Sequence, residues 1–204
     1  MKDNIIITIS REFGSGGRDI GKKVSEALGI PFYDKAIVDL AAKESGLDAE
    51  FIEKGEQKIT SSMLFSIATT NYGIGDYYTE SSNFLVDKIF ISESKAIKEF
   101  AGNGSCVIVG RCADYILKND FQCFNAFIYA DFDFRVRRVI EAYNLSVKDA
   151  EKQVKMRDKQ RAKHYEHYTG IEWGNVNNYH LSIDSMKFGL DSAADVIRRA
   201  AELL

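Results

Sequence analysis

Residues 5–21 read Ile5-Ile-Ile-Thr-Ile-Ser-Arg-Glu-Phe-Gly-Ser-Gly-Gly-Arg-Asp-Ile-Gly, and no other stretch restricts the possible folds as much. The apolar, β-branched run Ile5, Ile6, Ile7 and Ile9 predicts a buried strand over Ile5–Ser10. Gly14, Gly16 and Gly17 predict a turn that needs positive φ and close backbone approach. Ile20, Val24, Ala27 and Leu28 then recur at helical spacing and predict a helix over Arg18–Leu28. Strand, glycine turn and helix in that order aim backbone N–H groups and the positive end of a helix at an anion, phosphate above all.

A strict phosphate loop reads G-x-x-x-x-G-K-[ST] after a strand. With Gly16 as its second glycine, Arg11 holds the first-glycine position, Gly17 the lysine position and Arg18 the Ser/Thr position. The strict pattern is therefore not met, but its physical requirements are. The glycines permit the turn, and Arg11 and Arg18 supply cations on either side of it, each able to grip a phosphate through two parallel hydrogen bonds. Ser15 or Asp19 could assist a Mg²⁺ ion, directly or through water. The plainer alternative is a glycine-rich turn that merely joins strand to helix. A dinucleotide-binding turn fits worse, because Gly14-x-Gly16-Gly17 is not G-x-G-x-x-G and hydride chemistry leaves the arginines unexplained.

Further strands are predicted at Pro31–Tyr33, Cys106–Val109, Asn125–Ala130 and His180–Ile183. Helical patterns fall at Lys35–Ser45, Asn83–Phe100, Asp114–Lys118, Phe132–Tyr143, Lys148–His167 and Leu190–Leu203. Short buried strands alternating with helices imply an α/β fold whose mainly parallel sheet is covered on both faces. Ligands of such sheets bind at the carboxyl ends of the strands. The glycine turn, Tyr33-Asp34, Gly110-Arg111 and Asp184-Ser185 all fall there. The segment 55–82 is rich in Ser, Thr, Tyr and Gly without sustained period and reads as a loop or substrate-facing insertion.

Composition removes several function classes. A net charge of −3 over 204 residues gives no global field for nucleic acid, so a polyanion must be met by local arginines. No window approaches a membrane span, and the N-terminus lacks a signal pattern. Three cysteines without paired spacing argue against a disulfide framework and, with three scattered histidines, against zinc. The expected compartment is cytoplasmic, with no nucleic-acid or membrane partner.

The local arginines lie in the second half. Arg135, Arg137 and Arg138 open one predicted helix. Arg157 and Arg161 stand at i and i+4 on the next, which puts both guanidiniums on one face. A solvated face with local ion pairs is one reading. The other is a lid whose cations fold over a transferring phosphoryl group.

Taken in order, these segments resemble the cytidylate kinase-like family of nucleoside monophosphate kinase relatives. The resemblance rests on Ile7–Arg18, Phe32–Asp34, Val107–Arg111, the Arg135, Arg137 and Arg138 cluster, Arg157-Asp158 with Arg161, and Leu181–Ser185. It implies one domain with a three-layer P-loop fold, a central five-stranded parallel sheet flanked by helices and a helical lid. The core would comprise about 1–54, 83–145 and 178–204, with an acceptor-side insertion at about 55–82 and the lid at about 146–177. It implies transfer of the γ-phosphoryl of ATP to CMP or dCMP with Mg²⁺. Gly14, Ser15, Gly16, Gly17 and Arg18, flanked by Arg11 and Asp19, would cradle the ATP phosphates. Arg111 would hold the acceptor phosphate, and Asp34, Asp158 and Asp184 would stand near the acceptor nucleotide. Arg18, Arg111, Arg157 and Arg161 would spread the transition-state charge. A kinase for another small acceptor, or a nucleotide-binding regulator with weak catalysis, are the alternatives. Lysine placed at position 17 is expected to raise the activity of a loop crippled by its loss, and to do little if Arg18 already serves in its place.

Overall fold

The computed structural model describes residues 4–47, 49, 52 and 76–204. Contacts divide the chain into two compact units, Met1–Asp34 with Phe100–Leu204, and Lys35–Glu99. In the first unit five strands, β1 (Ile6–Arg11), β2 (Phe32–Tyr33), β3 (Cys106–Val109), β4 (Cys123–Tyr129) and β5 (Leu181–Asp184), form one sheet in the order β2-β3-β1-β4-β5. Every pairing is parallel, so all five carboxyl ends share one edge.

The isoleucine-rich first strand is central because it is buried on both faces. Ile7 and Ile9 point to the same side as their neighbours Val107, Val109, Ala126 and Ile128. Against them pack Ile20 and Val24 of α1 (Gly17–Leu28) and Ala193, Ala194 and Ile197 of α8 (Leu190–Ala201). Each fully buried isoleucine contributes roughly 1.5–3 kcal/mol of transfer free energy. Gly21 belongs to this layer: a Cβ there would stand 3.1 Å from Ile9 Cδ1 and Val109 Cγ2, so its absence lets α1 approach the sheet. On the opposite face Thr8 donates to Asn125 Oδ1 at 2.7 Å, across the register that pairs the two residues.

Four further helices of this unit follow the strands or one another. The short α4 (Ala113–Leu117) follows β3. Helix α5 (Phe132–Tyr143) is capped by Asp131, whose carboxylate accepts from the Asp133 and Phe134 amides. Helix α6 (Val147–Thr169) is capped by Ser146 and closed by Gly170 in the left-handed conformation. Val136 and Val139 of α5 meet Ala150 and Val154 of α6 in a second apolar cluster with Phe13 at its side. The one-turn α7 (Ser185–Phe188) follows β5.

The second unit contains α2 (Lys35–Ser45) and most of α3 (Asp76–Gly102). Val38, Ala41, Ile52 and Ile89 form its own core. Helix α3 begins earlier than the expected Asn83, because the stretch before Leu85 continues the helix despite its polar composition. Residues 55–75 of the expected insertion lie outside the described residues.

All three cysteines are buried, Cys106 in β3, Cys112 at the head of α4 and Cys123 in β4. Burial pushes the Cys106 thiol up to about 12 and the Cys123 thiol up to about 11. Among the described residues, no helix is long and apolar enough to cross a membrane.

Candidate functional site

The turn between β1 and α1 is built on glycine geometry. Gly14 has φ +83° and Gly16, the N-cap of α1, φ +80°. A Cβ at Gly14 would lie 2.7 Å from the Arg135 carbonyl oxygen, and one at Gly16 would lie 2.6 Å from Leu190 Cδ2. Both positions are closed to side chains by conformation and by space. The amides of Gly17, Arg18 and Asp19, in the first turn of α1, have no partner inside the helix. They point toward the carboxyl edge of the sheet, where an anion gains from the helix dipole.

The outward groups of the loop are held by the rest of the fold. The Ser15 carbonyl accepts from Ser185 Oγ at 2.6 Å, and the Phe13 carbonyl from Arg135 Nη1 at 3.2 Å. The Arg11 carbonyl accepts from Arg161 Nη1 at 3.0 Å, and the Phe13 amide donates to Asp158 Oδ1 at 2.7 Å. Glu12 accepts from the Ala130 amide at 3.0 Å and faces Arg135 Nε at 3.2 Å. Burial holds the Glu12 carboxyl above the usual carboxylate range, an effect the Ala130 amide and the Arg135 charge partly offset.

Above the loop lies a cleft of about 290 Å³. Arg11, Arg18, Arg138 and Arg161 line it, with Glu12 and Asp19 as the lining carboxylates. Four arginines against two acidic residues line a cleft in a protein whose net charge is −3. Phe13, Val139, Ala142 and Tyr143 form its apolar wall. The Phe13 and Tyr143 rings stack with centroids 6.1 Å apart. Arg161 lies 5.5 Å from the Phe13 ring centroid and Arg157 lies 5.8 Å from it.

The expected residues fall into three groups. Arg11, Gly14, Gly16, Gly17, Arg18, Asp19 and Arg161 come together at the cleft. Arg157 stays behind Phe13, outside the cleft lining, and its buried Nε lacks a hydrogen-bond partner. Of the residues expected on the acceptor side, Asp34 binds Arg18 Nε, and Arg111 follows β3 with φ +57° between Gly110 (φ +75°) and Cys112 (φ +55°). Both oxygens of Asp158 are engaged, by the Phe13 amide and by Arg135. Asp184 caps α7 through the Met186 and Lys187 amides. Ser15, expected near a metal, is fully buried and donates its hydroxyl to the Glu12 carbonyl at 2.9 Å.

Position 17 carries a steric condition on the expected lysine substitution. A Cβ there would stand 2.5 Å from Arg11 Cβ and 2.9 Å from Arg11 Cγ. The Arg11 stem already fills the space a lysine would enter, so a side chain at 17 requires Arg11 to move.

Three contributors are not among the expected site residues. Arg138 reaches the cleft and bonds Asp19 at 2.9 Å, whereas its neighbour Arg135 turns inward and Arg137 stays exposed. Helical spacing from the buried Val136 and Val139 could have separated the three. Ser185 is placed at the strand edge by sequence, but its partner at position 15, like that of Tyr143 at position 13, is not.

The model of the cytidylate kinase-like family matches residues 6–187. A cytidylate kinase of Pyrococcus horikoshii is 27% identical over 207 aligned residues, covering 100% of this chain and 91% of the relative. A cytidylate kinase of Methanopyrus kandleri is 21% identical, with 98% and 95% covered. A crystal structure of a Eubacterium ventriosum protein superposes with TM-score 0.72 at 30% identity, covering 97% of this chain and 98% of the other. A shikimate kinase from Bacteroides thetaiotaomicron, 12% identical with TM-score 0.56, shares the fold over 97% of this chain and 98% of its own.

Proposed function

The chain belongs to the cytidylate kinase-like family, and on that membership we propose that it transfers the γ-phosphoryl group of ATP to a nucleoside monophosphate, CMP or dCMP before others. The observation that carries this reading is the arginine-lined cleft over the glycine loop, with Arg11, Arg18, Arg138 and Arg161 around one space of about 290 Å³.

An oxygen of the acceptor phosphate forms a bond to the γ-phosphorus as the bond to the bridging oxygen of ADP breaks. No general base is required, since the attacking oxygen is already anionic near neutral pH. Catalysis then rests on alignment and on charge stabilisation. The loop amides and Arg18 hold the donor phosphates. Arg161, with Arg157 behind it, supplies lid charge, and Arg111 with Asp34 lies on the acceptor side.

Mg²⁺ bound with ATP would neutralise the phosphate oxygens. Among the described residues, no three His, Cys, Asp or Glu side chains gather as a protein-held metal site requires. Asp19, on the cleft and about half exposed, fits the single carboxylate that a magnesium ion carried by the nucleotide needs.

ADP release measured with CMP, dCMP, UMP, AMP, GMP and non-nucleotide hydroxyl acceptors tests the proposal. Turnover with CMP and dCMP is expected. Turnover with another acceptor while both cytidylates stay inert would transfer the reading to that acceptor.

A further inference from the structure

Two positions of the glycine loop depart from the strict phosphate-loop pattern in opposite directions. Where the pattern has glycine, this chain has Arg11, and where it has lysine, this chain has Gly17. Positions 11 and 17 face each other across the loop, since a Cβ at 17 would stand 2.5 Å from Arg11 Cβ and 3.3 Å from Ile128 Cβ. One side chain fits between the end of β1 and the start of α1, and two do not. A cation at one position therefore demands glycine at the other.

The far end of Arg11 imposes a second demand. Its Nη1 lies 1.7 Å from the point a Cβ on Gly110 would occupy, and Cζ lies 2.9 Å from it. The guanidinium thus rests on the backbone at the end of β3, directly before Arg111, and Arg11 is also among the residues that line the cleft. It runs from the glycine loop, on the donor side, to the β3 edge. The pairing of β1 with β3 places these two strand ends side by side.

We propose that the lysine function of the phosphate loop has moved across the loop to Arg11, whose guanidinium takes the oxygens of the donor's terminal phosphates, with Gly17 and Gly110 left bare to seat it. The proposal rests on the phosphoryl-transfer reading above and adds to it which residue replaces the missing ammonium group. It also accounts for both glycines by one cause. A lysine enters from the helix as a compact point charge, whereas an arginine entering from the strand presents a planar fork along the sheet edge.

The test compares the wild-type chain with Arg11→Gly, Gly17→Lys, the double variant R11G/G17K and Gly110→Ala. Binding of a non-hydrolysable ATP analogue with Mg²⁺ is measured by calorimetry, turnover by ADP release with CMP, and folding by urea denaturation. Arg11→Gly is expected to weaken analogue binding at least tenfold and to lower kcat on the order of 10²–10³-fold, as loss of a transition-state donor does. Gly17→Lys alone is expected to fail in both assays because its stem meets Arg11. R11G/G17K restores the strict pattern and is expected to recover at least tenfold in binding over Arg11→Gly. Gly110→Ala displaces the guanidinium and should follow Arg11→Gly in binding.

Wild-type binding and turnover in a folded Arg11→Gly would overturn the transfer of function to Arg11 and leave the kinase reading intact. A double variant no better than Arg11→Gly, while folded, would overturn it as well. A wild-type chain that binds the analogue but phosphorylates none of the acceptors would end the kinase reading, and the binding series would still decide the role of Arg11. A wild-type chain that binds no analogue would end both.

Discussion

Arg135 and Asp158 form an ion pair at 2.5 Å that joins α5 to α6, with the Arg135 side chain only 8% exposed. The same guanidinium donates to the Ala130 and Phe13 carbonyls, and the same carboxylate accepts the Phe13 amide. One buried pair thus fixes two helices and the loop beneath the cleft. Removing one partner strands the other charge.

Arg135→Ala is expected to cost about 3–5 kcal/mol, the range for leaving a buried charge unpaired. Urea denaturation of the variant checks this. A loss below about 1 kcal/mol would mean that water reaches Asp158 and that the pair does not hold the loop.

Gly14→Ala and Gly29→Ala separate space from conformation. Both glycines have positive φ, but a Cβ at Gly29 meets nothing within 4 Å, whereas one at Gly14 lies 2.7 Å from a carbonyl oxygen. Gly29→Ala should cost only the left-handed penalty of roughly 1–2 kcal/mol. Gly14→Ala should cost more and abolish turnover. Equal losses of stability in the two variants would show that the loop yields easily.

Arg161→Ala removes a cleft cation and the donor to the Arg11 carbonyl. We expect kcat with ATP and CMP to fall on the order of 10²–10³-fold. Lys159→Ala, exposed on the same helix, should leave kcat within twofold, by the small effect of exposed surface charges. Similar turnover in the two variants would take Arg161 out of the chemistry.

Asp114 is buried and accepts the Tyr165 hydroxyl at 2.6 Å. Burial raises its carboxyl above the ordinary value, and the Tyr165 hydrogen bond only partly offsets this. The folded state therefore holds the proton more tightly than the unfolded chain. The stability linked to that proton is fully present below the unfolded value near 3.8 and is lost as pH rises through the folded value. Asp114→Asn keeps an acceptor for Tyr165 and removes the titration. Its stability relative to wild type should accordingly rise with pH from about 4 upward, by the linkage relation. A difference that stays flat with pH would mean the two states hold this proton alike.

The sheet was legible because its strands carry their signal within a few residues: Ile6–Ile9 and Cys106–Val109 are mostly apolar and buried on both faces, as central parallel strands are. The glycine loop was legible from Gly14 and Gly16 for the same local reason. Legibility failed where function depends on residues distant in sequence. Nothing near Ser185 announces that its hydroxyl meets residue 15, 170 positions away. Nothing near Gly17 shows that Arg11 occupies its side-chain space. Asp158 reads, by resemblance, as an acid near the acceptor nucleotide, and only the packed structure shows it on the Phe13 amide and Arg135. A four-residue helix such as Ser185–Phe188 is too short for any period to show.

The three thiols lie in or beside the two strands that flank β1, and none is exposed in the folded chain. An alkylating reagent therefore has nothing to attack until the central layers part. Pulsed labelling counted by mass spectrometry would register zero adducts on intact molecules and three on those whose sheet has opened. The chain carries its own gauge of global opening, readable without any introduced probe.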